Sequence, residues 1–164
     1  MLKGKKILVT AGPTHEYFDD IRFIGNRSSG RQGIEIARCL NELQADITLV
    51  VGPVTLDLSG LRKVVRVETA LQMYNAVIEE APFDIAICTA AVSDWRPKKK
   101  AKTKIKKNSS GKPPNLDLIE NPDILRKIAE SKDRPNLVIG FAAETDNLLN
   151  NARLKLKNKR CDWI

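Results

Sequence analysis

Apolar residues fall along the chain in two alternating patterns: short continuous runs, and longer stretches with a period near 3.6. The runs favour β-strands because they are short, rich in β-branched residues and bounded by Gly, Pro or charged residues. Such runs are KKILVTAG, DITLVVGP, VVRVET, FDIAICTAAV and NLVIGFAA, and CDWI begins one more. FDIAICTAAV is almost uninterrupted, which is typical of a parallel strand covered on both faces.

The stretches between the runs have helical spacing. They are RQGIEIARCLNELQA, ALQMYNAVIEEA, NPDILRKIAESK and DNLLNNARLKLKNKR. In the third stretch, Asn121 is a predicted N-cap and Pro122 takes the first helical position. Strands that alternate with helices predict an α/β fold, a three-layer αβα Rossmann-like parallel sheet, formed by residues 1–164 as a single domain.

Sheets of this kind bind ligands in the crevice beyond the carboxyl ends of their strands. The loops that leave those ends are TAGPTHEYFDDIRFIGNRSSG, TAAVSDWRP and GFAAETDN. The first is far longer than the about 2–6 residues that are usual, and such long loops are often functional. We interpret His15, the only histidine, as a solvated loop residue rather than a catalytic one, because no nucleophile pair lies near it.

The net charge of +8 is concentrated in one segment. Residues 96–112, RPKKKAKTKIKKNSSGK, hold nine basic residues and no acid, so the rest of the chain is near −1. Three widely separated cysteines favour reduced, mostly buried thiols in a cytoplasmic protein over disulfides or a zinc site. No run approaches the ~20 apolar residues of a membrane span.

Small polar residues precede the first predicted helix in the stretch SSGRQG. Free N–H groups at a helix start attract anions, so Ser28, Ser29 and Gly30 could cradle a phosphate. A plain N-cap is an equally good interpretation. In TAAVSDWRP, Asp94 could bind a ribose hydroxyl, a base or a metal-bound phosphate, or it could cap a helix or pair with Arg96.

Lysines fall on alternate residues of the basic segment, so in an extended strand they would share one face. These are Lys98, Lys100, Lys102, Lys104 and Lys106. NSSGKPPN is a turn cluster and LDLIE a candidate return strand, which predicts a two-stranded flap over about residues 96–119. It could close over polyphosphate, form a solvated surface or bind nucleic acid. Nucleic acid is disfavoured because no aromatic residue lies inside the lysine run.

Six motifs in order resemble the phosphopantothenoylcysteine synthetase family, and the resemblance runs from Lys5 to Ile164. They are VTAGPT, IGNRSSGRQG, AAVSDWRP, KIKK, NPDI and GFAAET. The resemblance implies a ligase that uses CTP and Mg²⁺. The carboxylate of 4′-phosphopantothenate would attack the α-phosphate to give an acyl-cytidylate and pyrophosphate, and L-cysteine would then displace CMP to form the amide.

The resemblance also implies roles for individual residues. Asn26 matches the asparagine that holds the acyl-cytidylate for the cysteine step, and Lys104 matches the flap lysine that assists acyl-cytidylate formation. Ser28, Ser29 and Gly30 match the phosphate cradle. Mg²⁺ would be held mainly through the CTP phosphates. The other positions implied to bind CTP are Ala90, Asp94, Pro122, Asp123, Ile124, Leu125, Phe141, Lys155 and Lys159. From spacing alone, Lys155 and Lys159 would be a solvated helix end.

The resemblance further implies a cytoplasmic homodimer in which the flap contributes to the dimer. Bacterial members are often fused behind a flavin-dependent decarboxylase, and no flavin is expected on this chain. Relatives continue with further strands after CDWI, which implies that the C-terminal end of the family domain is missing. Two alternatives are a dinucleotide-binding oxidoreductase, which would lack GxGxxG but could use Glu68 as its ribose-binding acid, and a nucleic-acid-binding module.

Overall fold

The computed structural model describes residues 2–107 and 113–164. These residues form nine strands and four helices. The strands are β1 Lys6–Ala11, β2 His15–Tyr17, β3 Phe23–Gly25, β4 Asp46–Val51, β5 Lys63–Arg66, β6 Ile85–Cys88, β7 Trp95–Pro97, β8 Leu118–Glu120 and β9 Leu137–Gly140. The helices are α1 Arg31–Glu42, α2 Ala70–Glu80, α3 Ile124–Ala129 and α4 Leu148–Lys159. None of these helices is both long and apolar enough to cross a membrane.

Five of the strands form one parallel sheet in the order β5-β4-β1-β6-β9. Alternate residues of β1 point to opposite faces, and both faces are covered. Ile7 and Val9 pack in one apolar cluster with Ile34 of α1. Leu8 packs in the other with Met73 of α2. The predicted three-layer α/β/α architecture with a parallel sheet is therefore confirmed.

The long first loop contains a hairpin that the sequence did not predict. Strands β2 and β3 pair in antiparallel fashion, with Glu16 opposite Ile24. Glu16 is buried, and its carboxylate accepts a hydrogen bond of 2.8 Å from the N–H of Ala70 at the start of α2. His15 is half-buried and stacks on Phe23 with ring centroids 3.8 Å apart. The hairpin is thus tied to the body of the fold at its base.

The third predicted helix is shorter than its pattern suggested. It begins after Asp123, whose side chain accepts a hydrogen bond from the N–H of Arg126, so the predictions of Asn121 as N-cap and of Pro122 as the first helical residue are wrong. Asn121 instead bonds to the loop that follows β6. The predicted strand in CDWI is reduced to a single parallel bridge between Trp163 and Ile139.

The predicted flap is a two-stranded ribbon only at its base. Strands β7 and β8 pair in antiparallel fashion, with Arg96 opposite Ile119. Residues 98–107 form no β-strand, so the prediction that alternate lysines share a strand face is wrong. Backbone groups of Ala101 and Ile105 bond to the tip of the β2–β3 hairpin instead of to a partner strand. Residues 108–112, which include most of the predicted turn, lie outside the described residues.

Gly33 lets α1 approach the sheet closely, which gives a test of this packing. A Cβ at Gly33 would lie 2.6 Å from the Cβ of Ala11 and closer still to the hydroxyl of Thr89. In an open helix Gly→Ala stabilises by about 1 kcal/mol. We expect Gly33→Ala to lower the free energy of unfolding by about 1–3 kcal/mol, because the buried contact is overpacked. Urea denaturation measures this change. Gln32→Ala, at an exposed neighbouring position, is the control, and a stabilised Gly33→Ala would contradict the close packing.

Candidate functional site

A cavity of about 420 Å³ opens over the carboxyl ends of β1, β6 and β9. The order of strands reverses at this place: the chain goes from β1 to β4 and β5 on one side, and to β6 and β9 on the other. Loops from adjacent strands diverge at such a switch point and leave a crevice. The cavity is lined by Thr10, Cys88, Ala90, Val92, Ser93, Asp94, Trp95, Glu120, Asn121, Pro122, Asp123, Ile124, Leu125, Phe141, Lys155 and Lys159.

Nine residues that the family resemblance assigned to CTP binding line this cavity. They lie in the loop after β6, the turn before α3, the end of β9 and helix α4, and are Ala90, Asp94, Pro122, Asp123, Ile124, Leu125, Phe141, Lys155 and Lys159. They come from four separate parts of the chain. Their convergence follows from the parallel topology, which places the carboxyl ends of β6 and β9 side by side.

Two lysines on one face of α4 reach the cavity. Lys155 donates a hydrogen bond of 2.6 Å to the carbonyl of Phe141, and Lys159 forms an ion pair of 2.5 Å with Asp123. Both lysines are half-buried, so the solvated helix end favoured by their spacing is not what the structure shows. Two ammonium groups beside an apolar wall suit a ligand with an anionic part and a planar apolar part.

Asn121 joins two walls of the cavity, a role that sequence reasoning missed. Its side-chain amide donates to the carbonyl of Ser93 at 2.8 Å and accepts from Arg96 at 3.0 Å. Its backbone N–H donates to the carbonyl of Asp94 at 2.8 Å. The only sequence signal was an asparagine before proline, which helix capping also explained.

Asp94 is exposed at the mouth of the cavity. Arg96 bonds to Asn121 and Glu120 instead, so the alternative of an Asp94–Arg96 salt bridge is not formed. Within the described ranges, no group of three or more His, Cys, Asp or Glu side chains could hold a metal ion. The exposed carboxylate of Asp94 fits Mg²⁺, which proteins usually bind through one or two carboxylates together with substrate phosphates. Both carboxylate oxygens of Asp123 already accept hydrogen bonds, one from Lys159 and one from the N–H of Arg126.

Asn26 lies beside the cavity without lining it. Its side-chain amide donates to the carbonyl of Val92 at 3.1 Å, and Val92 lines the cavity. Lys104 is exposed and also lies outside the cavity lining. Its neighbour Ile105 is bonded through its backbone to Asp19 and Arg22 at the tip of the β2–β3 hairpin.

The start of α1 is built from small residues that do not line the cavity. Gly30 is the N-cap with φ 73°, a left-handed conformation that favours glycine, and α1 has no side-chain cap. The hydroxyl oxygens of Ser28 and Ser29 accept hydrogen bonds of 3.3 Å from the N–H groups two residues ahead. The two serines therefore order the loop before the helix. Their role as a phosphate cradle stays a prediction.

The floor of the cavity is uncharged at neutral pH. Burial raises the pKa of the Cys88 thiol to about 12, and the hydroxyl of Thr10 beside it opposes this rise. Cys161 is buried, and burial raises the pKa of its thiol too. All three thiols are free, but Cys39 is exposed and Cys88 is half-buried, so the prediction of mostly buried thiols holds fully only for Cys161.

Comparison with known proteins decides the family. The model of the family described as DNA/pantothenate metabolism flavoprotein C-terminal domain matches residues 2–164. The chain belongs to this family. Its resemblance to the phosphopantothenoylcysteine synthetases, predicted from six motifs, is thereby confirmed.

The relatives and solved structures of the family agree with this assignment. The coenzyme A biosynthesis bifunctional protein CoaBC of Vibrio cholerae is 41% identical over 165 residues, which are 100% of this chain and 41% of that protein. The chain thus spans about two fifths of the length of the curated relatives it matches. The crystal structure of the C-terminal domain of CoaBC has a TM-score of 0.83 at 41% identity and covers 98% of this chain and 76% of that one.

A more distant structure shares the fold. It is a Cab2 variant in complex with phosphopantothenate-cysteine, with a TM-score of 0.75 at 18% identity over 96% of this chain and 70% of that one. At this identity the likeness shows the fold alone. The three-layer sheet is therefore shared with a protein of much lower sequence identity.

The raised pKa of Cys88 predicts how the cavity floor reacts with a thiol reagent. Only the thiolate reacts, and at pH 8 a pKa of about 12 leaves about one thiol in ten thousand ionised. We expect alkylation of Cys88 to rise about tenfold per pH unit from pH 7 to 10 without reaching a plateau. Mass spectrometry of the alkylated peptides measures the rate, with exposed Cys39 as the internal control. A plateau near pH 9 would show that Cys88 is not desolvated.

Proposed function

We propose that this chain is a CTP-dependent phosphopantothenate–cysteine ligase of coenzyme A biosynthesis. The observation that carries the proposal is the single cavity at the sheet's switch point, which collects nine of the residues assigned to CTP from four separate parts of the chain. Membership of a family whose curated relatives are coenzyme A biosynthesis bifunctional proteins supports it. The Cab2 structure in complex with phosphopantothenate-cysteine adds only that the fold is shared.

The reaction has two steps. An oxygen of the 4′-phosphopantothenate carboxylate attacks the α-phosphorus of CTP, a new O–P bond forms, and pyrophosphate leaves with the electrons of the broken P–O bond. The amine of L-cysteine then attacks the acyl carbon, loses a proton and expels CMP. The first step is needed because a free carboxylate is a poor acyl donor.

The cavity suits the nucleotide of this reaction. The backbone near Ala90 and Pro122 would read the cytosine, with Phe141 beside it. Lys155 and Lys159 would neutralise the phosphates, where negative charge builds up as pyrophosphate leaves. Mg²⁺ would be held mainly through the phosphates, with the Asp94 carboxylate at the mouth of the cavity as a candidate ligand, and the ion would act as a Lewis acid on the phosphates.

Two residues outside the cavity lining would complete the site. Asn26 would hold the acyl-cytidylate for the cysteine step, since its amide already reaches the wall at Val92. Lys104 would assist formation of the acyl-cytidylate. Ser28, Ser29 and Gly30 would cradle a phosphate at the start of α1.

The proposal includes a cytoplasmic homodimer in which the ribbon contributes to the interface. Apolar side chains on the ribbon are exposed, with Trp95 at 54% and Leu118 at 45% of their full accessible surface. Burial of such residues against a second copy would be favourable. The curated relatives are named bifunctional and are longer than this chain, which supports the proposed fusion to, or association with, a decarboxylase.

Pyrophosphate release is the direct test of this function. The assay contains 4′-phosphopantothenate, Mg²⁺ and either CTP or ATP, with and without cysteine. We expect release with CTP that depends on 4′-phosphopantothenate, and amide product only when cysteine is added. Release that ignores 4′-phosphopantothenate, or the absence of both CTP binding and release, would contradict the proposal.

Asn26→Asp separates the two steps. We expect the rate of amide formation to fall about 100-fold, because one positioned donor to the intermediate is lost. Pyrophosphate release should persist in part, so the acyl-cytidylate accumulates and can be trapped by rapid acid quench. Asn136→Asp, the same change at an exposed position, is the control. Equal loss of both steps would contradict the role assigned to Asn26.

Lys104→Gln tests the earlier step. We expect pyrophosphate release in a single turnover to fall by about 100-fold or more, because a cation that stabilises the developing charge is removed. No acyl-cytidylate should accumulate. Lys99→Gln removes an equivalent exposed charge from the same basic segment and should leave release nearly unchanged. Normal build-up of acyl-cytidylate in Lys104→Gln would refute the assignment.

A further inference from the structure

Asp19, at the tip of the β2–β3 hairpin, is a fully buried carboxylate. It accepts hydrogen bonds from the backbone N–H groups of Ile21 at 2.9 Å and Arg22 at 2.8 Å. The Arg22 guanidinium donates two more, from Nε at 2.9 Å and Nη2 at 2.5 Å. A fifth comes from the N–H of Ile105 at 3.1 Å. A buried charge is tolerated only when it is bonded in this way.

The fifth bond crosses from the hairpin to the lysine segment, 86 residues away in sequence. Arg22 bonds to the same residue, because its Nη2 donates to the carbonyl of Ile105 at 2.7 Å. Both backbone groups of Ile105 are therefore held by one Asp19–Arg22 pair. A second attachment lies four residues earlier, where the N–H of Ala101 donates to the carbonyl of Phe18 at 2.9 Å.

We propose that Asp19 is a positioning residue that clamps the lysine segment to the hairpin and thereby fixes the backbone of Lys104. The inference rests on the proposed function for the role of Lys104, and on the hydrogen bonds alone for the clamp. Lys104 directly precedes the clamped Ile105, so its Cα cannot move far while both backbone groups of Ile105 are bonded. Its side chain stays free to reach a substrate.

The chemistry of the carboxylate explains why aspartate stands at this place. Five donors converge on two oxygens, and an asparagine would offer one oxygen and add two donors of its own. The Arg22 guanidinium beside Asp19 holds the pKa of that carboxyl well below its usual range. The clamp therefore stays ionised at any pH at which the enzyme would work.

The clamp has a rigid base. On β2, three residues before Asp19, the buried Glu16 accepts from the N–H of Ala70 at the start of α2. The N–H of His15 donates to the carbonyl of Glu68 at 2.8 Å. These two bonds attach β2, and with it the tip of the hairpin, to the start of α2 and to Glu68, which follows β5. A lysine held by this tip keeps a defined place relative to the cavity at the sheet's edge.

Hydrogen exchange of the unmodified chain tests the clamp without any variant. Residue-resolved NMR should show protected N–H groups at Ala101 and Ile105, and fast exchange at Thr103 and Lys104. The last two have no backbone hydrogen bond among the described residues. Exchange at Ile105 as fast as at Lys104 would overturn the clamp, whatever the activity of the protein.

Asp19→Asn tests the function of the clamp, and Asp20→Asn is its matched control. The control removes an exposed carboxylate that pairs with Lys100 at 2.9 Å in the same turn. We expect Asp19→Asn to speed exchange at Ile105 at least tenfold and to lower kcat for pyrophosphate release at least tenfold. KM for CTP should stay within about threefold, because the cavity lies elsewhere. Asp20→Asn should change none of these.

A double-mutant cycle shows whether Asp19 acts through Lys104. In a Lys104→Gln background, Asp19→Asn should cause no further loss of pyrophosphate release. Additive losses would overturn the positioning role and leave the ligase standing. If the unmodified chain neither binds CTP nor releases pyrophosphate, the ligase proposal fails and with it the role for Lys104, while exchange at Ile105 still tests the clamp. If Asp19→Asn does not fold, hydrogen exchange in the unmodified chain still tests the clamp. Protection of the N–H of Ile105 supports the clamp, and fast exchange there overturns it.

Discussion

Burial of β1 on both faces is the constraint on which the rest of the structure depends. A strand covered on both sides must satisfy its backbone through neighbouring strands, and β1 pairs in parallel with β4 and with β6. Parallel neighbours need long crossovers, which place helices on both faces and bring strand ends of the same polarity to one edge. The cavity is a consequence, because the chain leaves β1 toward one side first and returns to the other side later.

The loops at that edge are held to one another by polar contacts near the end of β1. The hydroxyl of Thr89 donates to the carbonyl of Thr10 at 2.7 Å. The N–H of Ser93 donates to the buried hydroxyl of Thr14 at 3.0 Å. The N–H of Ala91 donates to the carbonyl of Gly12 at 2.9 Å. These bonds hold the loops after β1 and β6 together as one layer. Asn26 is attached to this layer by the hydrogen bond from its side-chain amide to the carbonyl of Val92. This layer explains how residues distant in sequence keep fixed distances at the cavity.

The parts of the fold and site that could be predicted from the sequence are those that depend on residues close together in the chain. Each of the five strands of the central sheet and each helix has a local pattern, and each was found. The grouping of Asp94, Phe141 and Lys155 followed from the parallel topology together with family resemblance. The β2–β3 hairpin was missed because its strands have three residues each, and its stability comes from contacts such as Glu16 with Ala70, 54 residues away.

The error in the lysine segment has the same physical origin. Alternation of Lys98, Lys100 and Lys102 suggested an extended strand, and a strand needs a partner of matching length. The β7–β8 ribbon supplies only three residue pairs, so the backbone of the segment beyond it has no partner strand. It bonds instead to Phe18, Asp19 and Arg22, and no local sequence pattern predicts these contacts.

The positive charge of the lysine segment explains why the attachment of its backbone to the hairpin is important. A run of like charges repels itself and, left unattached, would spread over many conformations. Each lysine would then spend little time near a bound anion, and salt would screen its attraction to the anion beyond about 8 Å at physiological ionic strength. Fixing the backbone at Ala101 and Ile105 removes most of that freedom before a ligand arrives. The buried Asp19 forms an ion pair with the half-buried Arg22, so the clamp itself adds no net charge to the surface. The segment can thus stay strongly cationic while both backbone groups of Ile105 are held by a buried carboxylate and its paired arginine.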